Sequence, residues 1–299
     1  MLINSENLDI FFHGAKTAFN EAFRMAQPVW PAFGMQVPSA KQAEVHAWLG
    51  QWPRLKKWVG TRQYEKLIAH DYTIVNEDFE STIKLNKNDI IGDTYGLFMP
   101  LARMLGGAVA AHPDELMGEL IRRGNRQTCF DGQNFFDSDH PTDSVGTQSN
   151  LDGNNTDDIK WMLIGMSMGM GAGVRPFLYQ LWQAYEFYPI QDLMNDSMLR
   201  QIKEFEFGTD GSSNAGYGLW QLAYGSTNDI SEARFNTAYA AMQTYKGEGD
   251  RPLGVMPRYV VCAPAQRAAA KRIVLPYQAG GASNPNADIV EVIVNPYMA

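Results

Sequence analysis

The first fifty residues constrain the fold more than any other stretch. They carry Phe11, Phe12, Phe19, Phe23, Trp30, Phe33 and Trp48, and among them Pro28, Pro31 and Pro38. Phe12, Ala15, Phe19, Ala22 and Phe23 fall on one face of a short helical pattern. The prolines then forbid a continuous helix, because each lacks an N–H and clashes with the preceding turn. So many large apolar side chains on an arm need a surface to cover. Two readings stand: the arm folds back on its own core, or it docks on a neighbouring chain.

Residues 63–87 pose the same question in strand form. Phe79, Ser81, Ile83 and Leu85 alternate with Glu80, Thr82, Lys84 and Asn86, a period of two. Tyr64 to Val75 is less regular but ends in the β-rich Tyr72-Thr73-Ile74-Val75. Asn76-Glu77-Asp78 supplies turn chemistry between the two runs. The expectation is a long β-hairpin reaching about 40 Å, which is marginal on its own and leans on something outside itself. Charge divides sharply here. Arg54, Lys56, Lys57, Arg62 and Lys66 face only Glu65 within residues 51–66, a net +4, whereas Asp71, Glu77, Asp78 and Glu80 give residues 67–80 a net −4.

Leu97, Leu101, Met104, Leu105 and Ala108 form one apolar helical stripe. Pro113 is expected to interrupt it, with His112-Pro113-Asp114-Glu115 as a fresh start and Gly124 as the stop. Together the segments make a kinked rod of about 40 Å. Beyond it, residues 157–168 read as a helix capped by Thr156, and Ser231 caps a helix carrying Phe235, Ala238, Tyr239, Met242 and Tyr245. Tyr259 to Cys262 reads as a strand, Pro264 to Ile273 as a helix and Ile289 to Val294 as a closing strand. The class is α+β.

Hydrophobic residues make up 45% of the 299, enough for a sizeable core if the chain is compact. The net charge of −8 argues against tight nucleic-acid binding, which needs a basic footprint. The longest apolar run, Trp161 to Val174, falls short of the ~20 residues that span a bilayer. No basic segment precedes an apolar one at the start, so no secretory signal is expected. Cys129 and Cys262 are far apart and fit no ligand spacing, which points to a reducing compartment.

The most enzyme-like segment runs from Cys129 to Pro141. Asp137, Asp139 and His140 are a legitimate ligand set for a divalent metal. The competing reading is a structural turn, since Asp131-Gly132 is a turn pair and Asp and Asn bond their own backbone. The turn explains more of the segment, with Phe130, Phe135 and Phe136 as anchors. No G-x-x-x-x-G-K-[ST] phosphate loop exists. The reading is of no catalytic residue and no cofactor.

Ordered pieces along the whole chain resemble one family. They are Met1-Leu2-Ile3-Asn4, Glu6-Asn7-Leu8, Ile10-Phe11-Phe12, Trp48-Leu49-Gly50-Gln51, Pro53-Arg54-Leu55, Tyr72-Thr73-Ile74 and Phe79-Glu80-Ser81-Thr82. Tyr95-Gly96, Ala110 to Leu116, Asp131-Gly132-Gln133, Phe135-Phe136-Asp137, Asp139-His140-Pro141, Ala215 to Gly218, Trp220-Gln221 and Asn295-Pro296-Tyr297 continue the series. Together they resemble the Mu-like phage major head subunit, gpT.

The resemblance implies a major capsid protein of the Hong Kong 97 phage-type fold. Its parts would be an N-arm (residues 1–49), an extended loop (50–90), a spine helix opening the peripheral domain (91–135), and interleaved axial and peripheral domains (136–299). It implies hexamers and pentamers of this chain building an icosahedral shell around double-stranded DNA in the virion, assembled in the host cytoplasm. Implied partners are the chain itself, a portal, decoration proteins and, because the arm motif starts at Met1, a separate scaffold protein. Packaged DNA is touched only non-specifically, and no membrane is involved. On this view Phe12, Phe19, Phe23, Trp30 and Trp48 contact other subunits, as do Arg54, Lys56 and Lys57 facing Glu77, Asp78 and Glu80. The alternatives are a bacterial nanocompartment shell of the same fold and a metal-dependent hydrolase using Asp137, Asp139 and His140.

Overall fold

The computed structural model describes residues 5–50, 60, 71–92, 98–142, 146–167, 173–190, 203–247, 250–277, 281 and 283–299. The helices are α1 (Ser5–Met25), α2 (Lys87–Gly92), α3 (Met99–Arg122), α4 (Glu232–Gln243) and α5 (Arg267–Ile273). The first strands are β1 (Gly34–Pro38), β2 (Ala43–Val45), β3 (Thr73–Val75), β4 (Glu77–Asn86), β5 (His140–Pro141), β6 (Thr147–Gln148) and β7 (Leu151–Asp152). The rest are β8 (Trp161–Ser167), β9 (Phe177–Pro189), β10 (Glu204–Tyr217), β11 (Ala223–Ser226), β12 (Lys246–Gly247), β13 (Arg251–Pro252), β14 (Val255–Cys262) and β15 (Glu291–Val294). Helices and sheets mix as the α+β reading expects.

One sheet has the order β1-β9-β10-β4, and α1 and α3 pack against it. Leu8, Phe11, Phe12, Ala15, Ala18 and Phe19 recur at helical spacing and are the buried face of α1. Phe12 meets Phe207 at 6.0 Å and Phe19 meets Phe187 at 5.5 Å between ring centroids. The arm's helix therefore folds back on its own chain. Close approach to α3 depends on Gly106, where a Cβ would sit 2.3 Å from the Phe19 carbonyl oxygen. The prolines act as expected, ending the helix before a 3₁₀ turn at Trp30–Ala32 and strand β1.

The expected hairpin is not formed by the runs that suggested it. β4 is a strand with the anticipated alternation, but it pairs antiparallel with β10, Leu85 opposite Phe205 and Ile83 opposite Phe207. β3 instead pairs with β2, Ala43 opposite Val75. The turn between β3 and β4 fails because Asn76 is buried and held straight. Its Nδ2 donates to Ser39 Oγ and the Lys41 carbonyl, and its N–H to the Gln42 carbonyl. Tyr64 to His70 lie outside the described residues. The β2–β3 ribbon is pinned to the sheet by Ile74, by a bond from Gln180 Nε2 to the Ile74 carbonyl, and by the Tyr217 N–H donating to the Tyr72 hydroxyl.

The rod is one unbroken helix, α3, with Pro113 inside it. This corrects the expected restart. A buried proline costs about 3 kcal/mol of helix, but apolar burial continues on both sides of it, at Leu105 and Val109 before and at Met117 and Ile121 after. Each such side chain contributes about 1.5–3 kcal/mol. The buried stripe is also rotated from the expected one. Ala102, Leu105, Gly106, Val109 and Ala110 face inward, whereas Met104 and Ala108 are exposed and Leu97 is outside the described residues. Small residues take the inner face because α1 lies so close. Gly124 follows the helix end, its N–H on the Ile121 carbonyl.

A second sheet has the order β15-β14-β8-β11-β7 and holds the larger core. Here the expected helix over 157–168 is wrong: β8 is the central strand, with Trp161, Met162, Leu163 and Ile164 fully buried. An apolar run without period cannot distinguish a buried helix from a strand covered on both faces. Thr156 caps nothing; its N–H and hydroxyl donate to Asn154 Oδ1. Gly165 serves strand packing, since a Cβ there would meet Val255 Cγ1 at 2.4 Å. α4 starts where expected, with Ser231 Oγ accepting from the Arg234 N–H. Phe235, Ala238 and Met242 face the core. α3 joins the two cores: Leu105 and Val109 lie in one, Met117 and Ile121 in the other.

Candidate functional site

The aromatics expected at a neighbour divide into two groups. Phe12 and Phe19 are buried against this chain's own sheet and α3, so their surface is already spent there. Trp30 is half-buried against Tyr179, at 5.3 Å between centroids. The 3₁₀ turn that carries it is held by Asp114, whose carboxylate accepts the Trp30 N–H at 2.6 Å and that of Val29. Phe23 stays 45% exposed and Trp48 36% exposed. These two keep area for a partner.

Two apolar residues that the sequence reading missed are exposed on the β2–β3 ribbon. The β2–β3 ribbon turns Ile74 into the core and leaves Val45 and Val75 outward, 56% and 50% exposed. The available signal was the period of two in Glu44-Val45 and Ile74-Val75, too short to read alone.

The charged candidates sit on an open strand. β4 is the edge of its sheet, and Glu77, Asp78 and Glu80 are exposed along it. Asp78 accepts the Ser212 hydroxyl, and Thr82 Oγ1 donates to Glu80 at 2.8 Å. Glu80 lies directly across from Asp210 in the β4–β10 register. Like charges at opposed positions destabilise an antiparallel pair. Asp210 is the acidic member missed from sequence, because its register partner is 130 residues away. The one compensating cation on this strand pair is Lys84, bonded to Glu206 at 2.6 Å. Its pKa is raised, first by that hydrogen bond and then by the carboxylate's charge. Arg54, Lys56 and Lys57 lie outside the described residues.

His140 does not converge with Asp137 and Asp139, whose carboxyls are hydrogen-bonded to one another. The Asp137 carboxylate accepts the Ser138 N–H at 2.7 Å and the Asn134 N–H at 3.3 Å. His140 is turned away from it, with Nδ1 2.8 Å from Asp131 Oδ2 and Nε2 3.2 Å from Asn150 Oδ1. Its ring stacks on Trp220 at 3.9 Å. Asp139 is exposed, and its carboxyl is raised by a hydrogen bond to Asp137 and then by that group's charge. The metal-type donors that do lie together among the described residues are Cys129, Asp131 and His140, all within 4.8 Å.

These three donors are knit to one another as a turn. The Cys129 thiol donates to Asp131 Oδ1, and the Gln133 N–H donates to the same oxygen. Burial alone would raise the Asp131 carboxyl; the bonds from His140, Cys129 and Gln133 outweigh it and hold the group below its ordinary value. Burial and the nearby Asp131 charge push the thiol up, so it is a neutral donor rather than a nucleophile. Asn150 closes the loop, its Nδ2 donating to the Phe135, Trp220 and Ala223 carbonyls. Phe135 and Phe136 anchor the segment in the core, as its turn reading expects.

Gly165 to Gly169 spell G-x-S-x-G, a nucleophile spacing that the sequence reading overlooked. Ser167 ends β8 and is buried, with its hydroxyl donating to the Leu253 carbonyl at 2.8 Å. No helix among the described residues is long and apolar enough to cross a membrane.

Comparison with known proteins covers the whole architecture. The model of the Mu-like prophage major head subunit gpT matches residues 8–298. The Mu-like prophage FluMu major head subunit of Haemophilus influenzae is 31% identical over 272 residues, 88% of this chain and 87% of that one. The major capsid protein of Escherichia phage Mu is 27% identical over 282 residues, 92% of this chain and 91% of that one. A chain of the bacteriophage JBD30 procapsid is 30% identical, with 99% of this chain and 100% of that chain covered and a TM-score of 0.79.

Proposed function

This chain belongs to the Mu-like prophage major head subunit family, and we propose that it closes its shell through the open edge of β4 and the outward face of the β2–β3 ribbon. It is a major capsid protein of a phage virion with the Hong Kong 97-type fold, and it is not an enzyme. The observation that carries this is the match along the full length to head subunits, arm and ribbon included. Nothing in the comparisons favours the nanocompartment shell or the hydrolase.

The shell is proposed to be icosahedral, made of hexamers and pentamers around double-stranded DNA. A separate scaffold protein, a portal and decoration proteins are its proposed partners, with only non-specific contact to DNA. The extended loop is proposed to begin at β2 rather than at residue 50, because β2 and β3 pair at its base. Phe23, Trp48, Val45 and Val75 are the apolar contacts. Glu77, Asp78 and Glu80 are proposed to meet Arg54, Lys56 and Lys57 of another subunit. The support is physical: a strand edge that opposes Glu80 to Asp210 favours a cation, and residues 51–66 hold a net +4.

Negative-stain imaging of the purified chain, alone and with its scaffold, tests the reading. Closed shells built from five- and six-membered capsomers are expected; a monomer under all conditions overturns it. Glu77→Gln with Glu80→Gln should slow assembly at low salt and change little at high salt, since rim charges act mainly on encounter and register. Equal slowing at every ionic strength removes the charge contact and leaves the capsid function standing.

A further inference from the structure

A cavity of about 210 Å³ opens between α3 and the β4 side of the first sheet. Leu105, Val109 and His112 of α3 line it, with Phe79, Tyr185 and Thr209 of the sheet. Its walls are apolar and aromatic, but it contains polar atoms with nothing to bond. Thr209 is 4% exposed, and its hydroxyl has no hydrogen-bond partner. Phe205, Phe207 and Thr209 alternate on the face of β10 that packs under the helices, so the hydroxyl points inward. His112 Nε2 is likewise buried and unpaired. Its ring lies edge-on to Phe79 at 4.2 Å and to Tyr185 at 5.9 Å. An orphaned buried polar atom costs about 1–3 kcal/mol. Two of them in one cavity mark a place prepared for an occupant.

The chemistry of the lining selects that occupant. Burial lowers the His112 pKa, against the opposing Glu115 charge, so the ring is neutral and holds a lone pair. Thr209 Oγ also accepts, and Glu115 adds a carboxylate at the exposed side. The site thus offers several acceptors, two carboxylates at its rim (Glu80 and Glu115), two aromatic walls and an aliphatic floor. An ammonium is a strongly hydrated point charge and uses such walls poorly. A guanidinium is planar and weakly hydrated, stacks on aromatic rings and carries five donors. Its three-carbon stem matches Leu105 and Val109.

We propose that this cavity receives an arginine side chain from residues 51–66 of a second copy of the chain, where Arg54 and Arg62 lie. The proposal rests on the shell contact described above and names a receptor for it. Four arginines elsewhere are engaged, Arg122 and Arg123 with Glu119, Arg126 with Asp158 and Arg234 with Asp152; the choice of residues 51–66 rests on their net +4 against the carboxylates at the cavity rim. The basic segment lies in sequence between the two strands of the ribbon, and the ribbon is hydrogen-bonded through Gln180 and Tyr217 to the sheet that carries the cavity.

The decisive variant is Thr209→Val, which keeps the shape and deletes the orphaned hydroxyl. In the isolated subunit it should leave the melting temperature unchanged or raise it. In shells it should raise the critical assembly concentration about threefold to tenfold. A merely structural threonine would lower the melting temperature as the critical concentration rises, and that result overturns the proposal. Arg54→Lys or Arg62→Lys should reproduce the assembly loss, and the loss should not add to that of Thr209→Val. If both lysine variants assemble normally while Arg→Ala at the same positions does not, only charge matters. The receptor is then wrong and the charge contact survives. If Arg→Ala is also silent, both fail. Oxidation of shells carrying Ala108→Cys with Arg54→Cys or Arg62→Cys gives the geometry directly, because Cys129 and Cys262 are buried. A disulfide between chains is expected for one pair; a disulfide within one chain, or none, rules out the second copy.

Discussion

Strands β8 and β4 show how differently one chain treats two pieces of sheet. β8 lies in the middle of its sheet and is buried from Trp161 through Gly165. β14 flanks it along its length and β11 flanks Trp161 to Ile164, whose side chains are walled on both faces. β4 is longer, yet only Leu85 of its ten residues is buried, and among the described residues one whole edge has no strand beside it. A free edge of that length invites pairing with another chain, which soluble monomers suppress by charge or cover. Here the charge is present but mostly negative, Glu77, Asp78 and Glu80 against the single Lys84, with Glu80 opposite Asp210. β8 is finished within the subunit; on the proposed reading β4 is finished by another subunit.

The sharpest way to break this contrast is at β8. Trp161→Ala should lower the unfolding free energy by about 3–5 kcal/mol, read as a fall in denaturant midpoint, and leave little soluble subunit. A milder result would mean the central sheet is not the stability core. Next comes the α1–α3 contact. Gly106→Val drives a side chain into the Phe19 carbonyl and should cost about 1–3 kcal/mol. Hydrogen exchange should accelerate in α1 and spare β8 and β14. If exchange rises everywhere, the two layers are one cooperative unit.

Tyr72 offers a finer probe, because it ties the ribbon to β10. Tyr72→Phe leaves the Tyr217 N–H without its acceptor and should cost about 1–3 kcal/mol at neutral pH. Burial pushes the Tyr72 phenol up to about 12 and Tyr179 likewise to about 12. A folded-state value above the unfolded ~10 means the stabilisation is complete below pH 10 and disappears between pH 10 and 12. The variant should therefore lose part of the wild-type alkaline destabilisation, seen in midpoints across that window, with the Tyr179 part remaining. The smallest effect on the subunit is expected at the ribbon. Val45→Thr with Val75→Thr should shift its stability by less than about 0.5 kcal/mol, yet reduce shell yield at a fixed concentration. An unchanged yield would return these valines to ordinary surface.

What the sequence disclosed follows the same divide. α1 was legible because its aromatics sit on one side of a helix, and α4 because Ser231 caps it. β8 was not, since a strand walled on both faces shows no period. The partner of β4 was unreadable for a different reason: the register that matters links it to residues more than a hundred positions on. Asn76 turned an apparent turn into a straight joint through bonds to residues 39–42 that no local pattern announces. In the Cys129–His140 loop the turn was readable from Asp131-Gly132, but the convergence of Cys129 with Asp131 and His140 was not. The acidic edge was half visible, as Glu77, Asp78 and Glu80 without Asp210.

Pro113 gives α3 an uneven stiffness. The helix is about 36 Å long, and its N-terminal half is clamped in one core and its C-terminal half in the other. Between the clamps lies the residue that cannot supply a backbone hydrogen bond, so the rod is most compliant there. A tilt of about 5° at that point moves an end half-length of about 18 Å by roughly 1.6 Å. When neighbours push on the arm layer, the rod bends at Pro113 before either packed core has to yield. A shell made of many such subunits then takes up changes of curvature as small, repeated flexures along its spines.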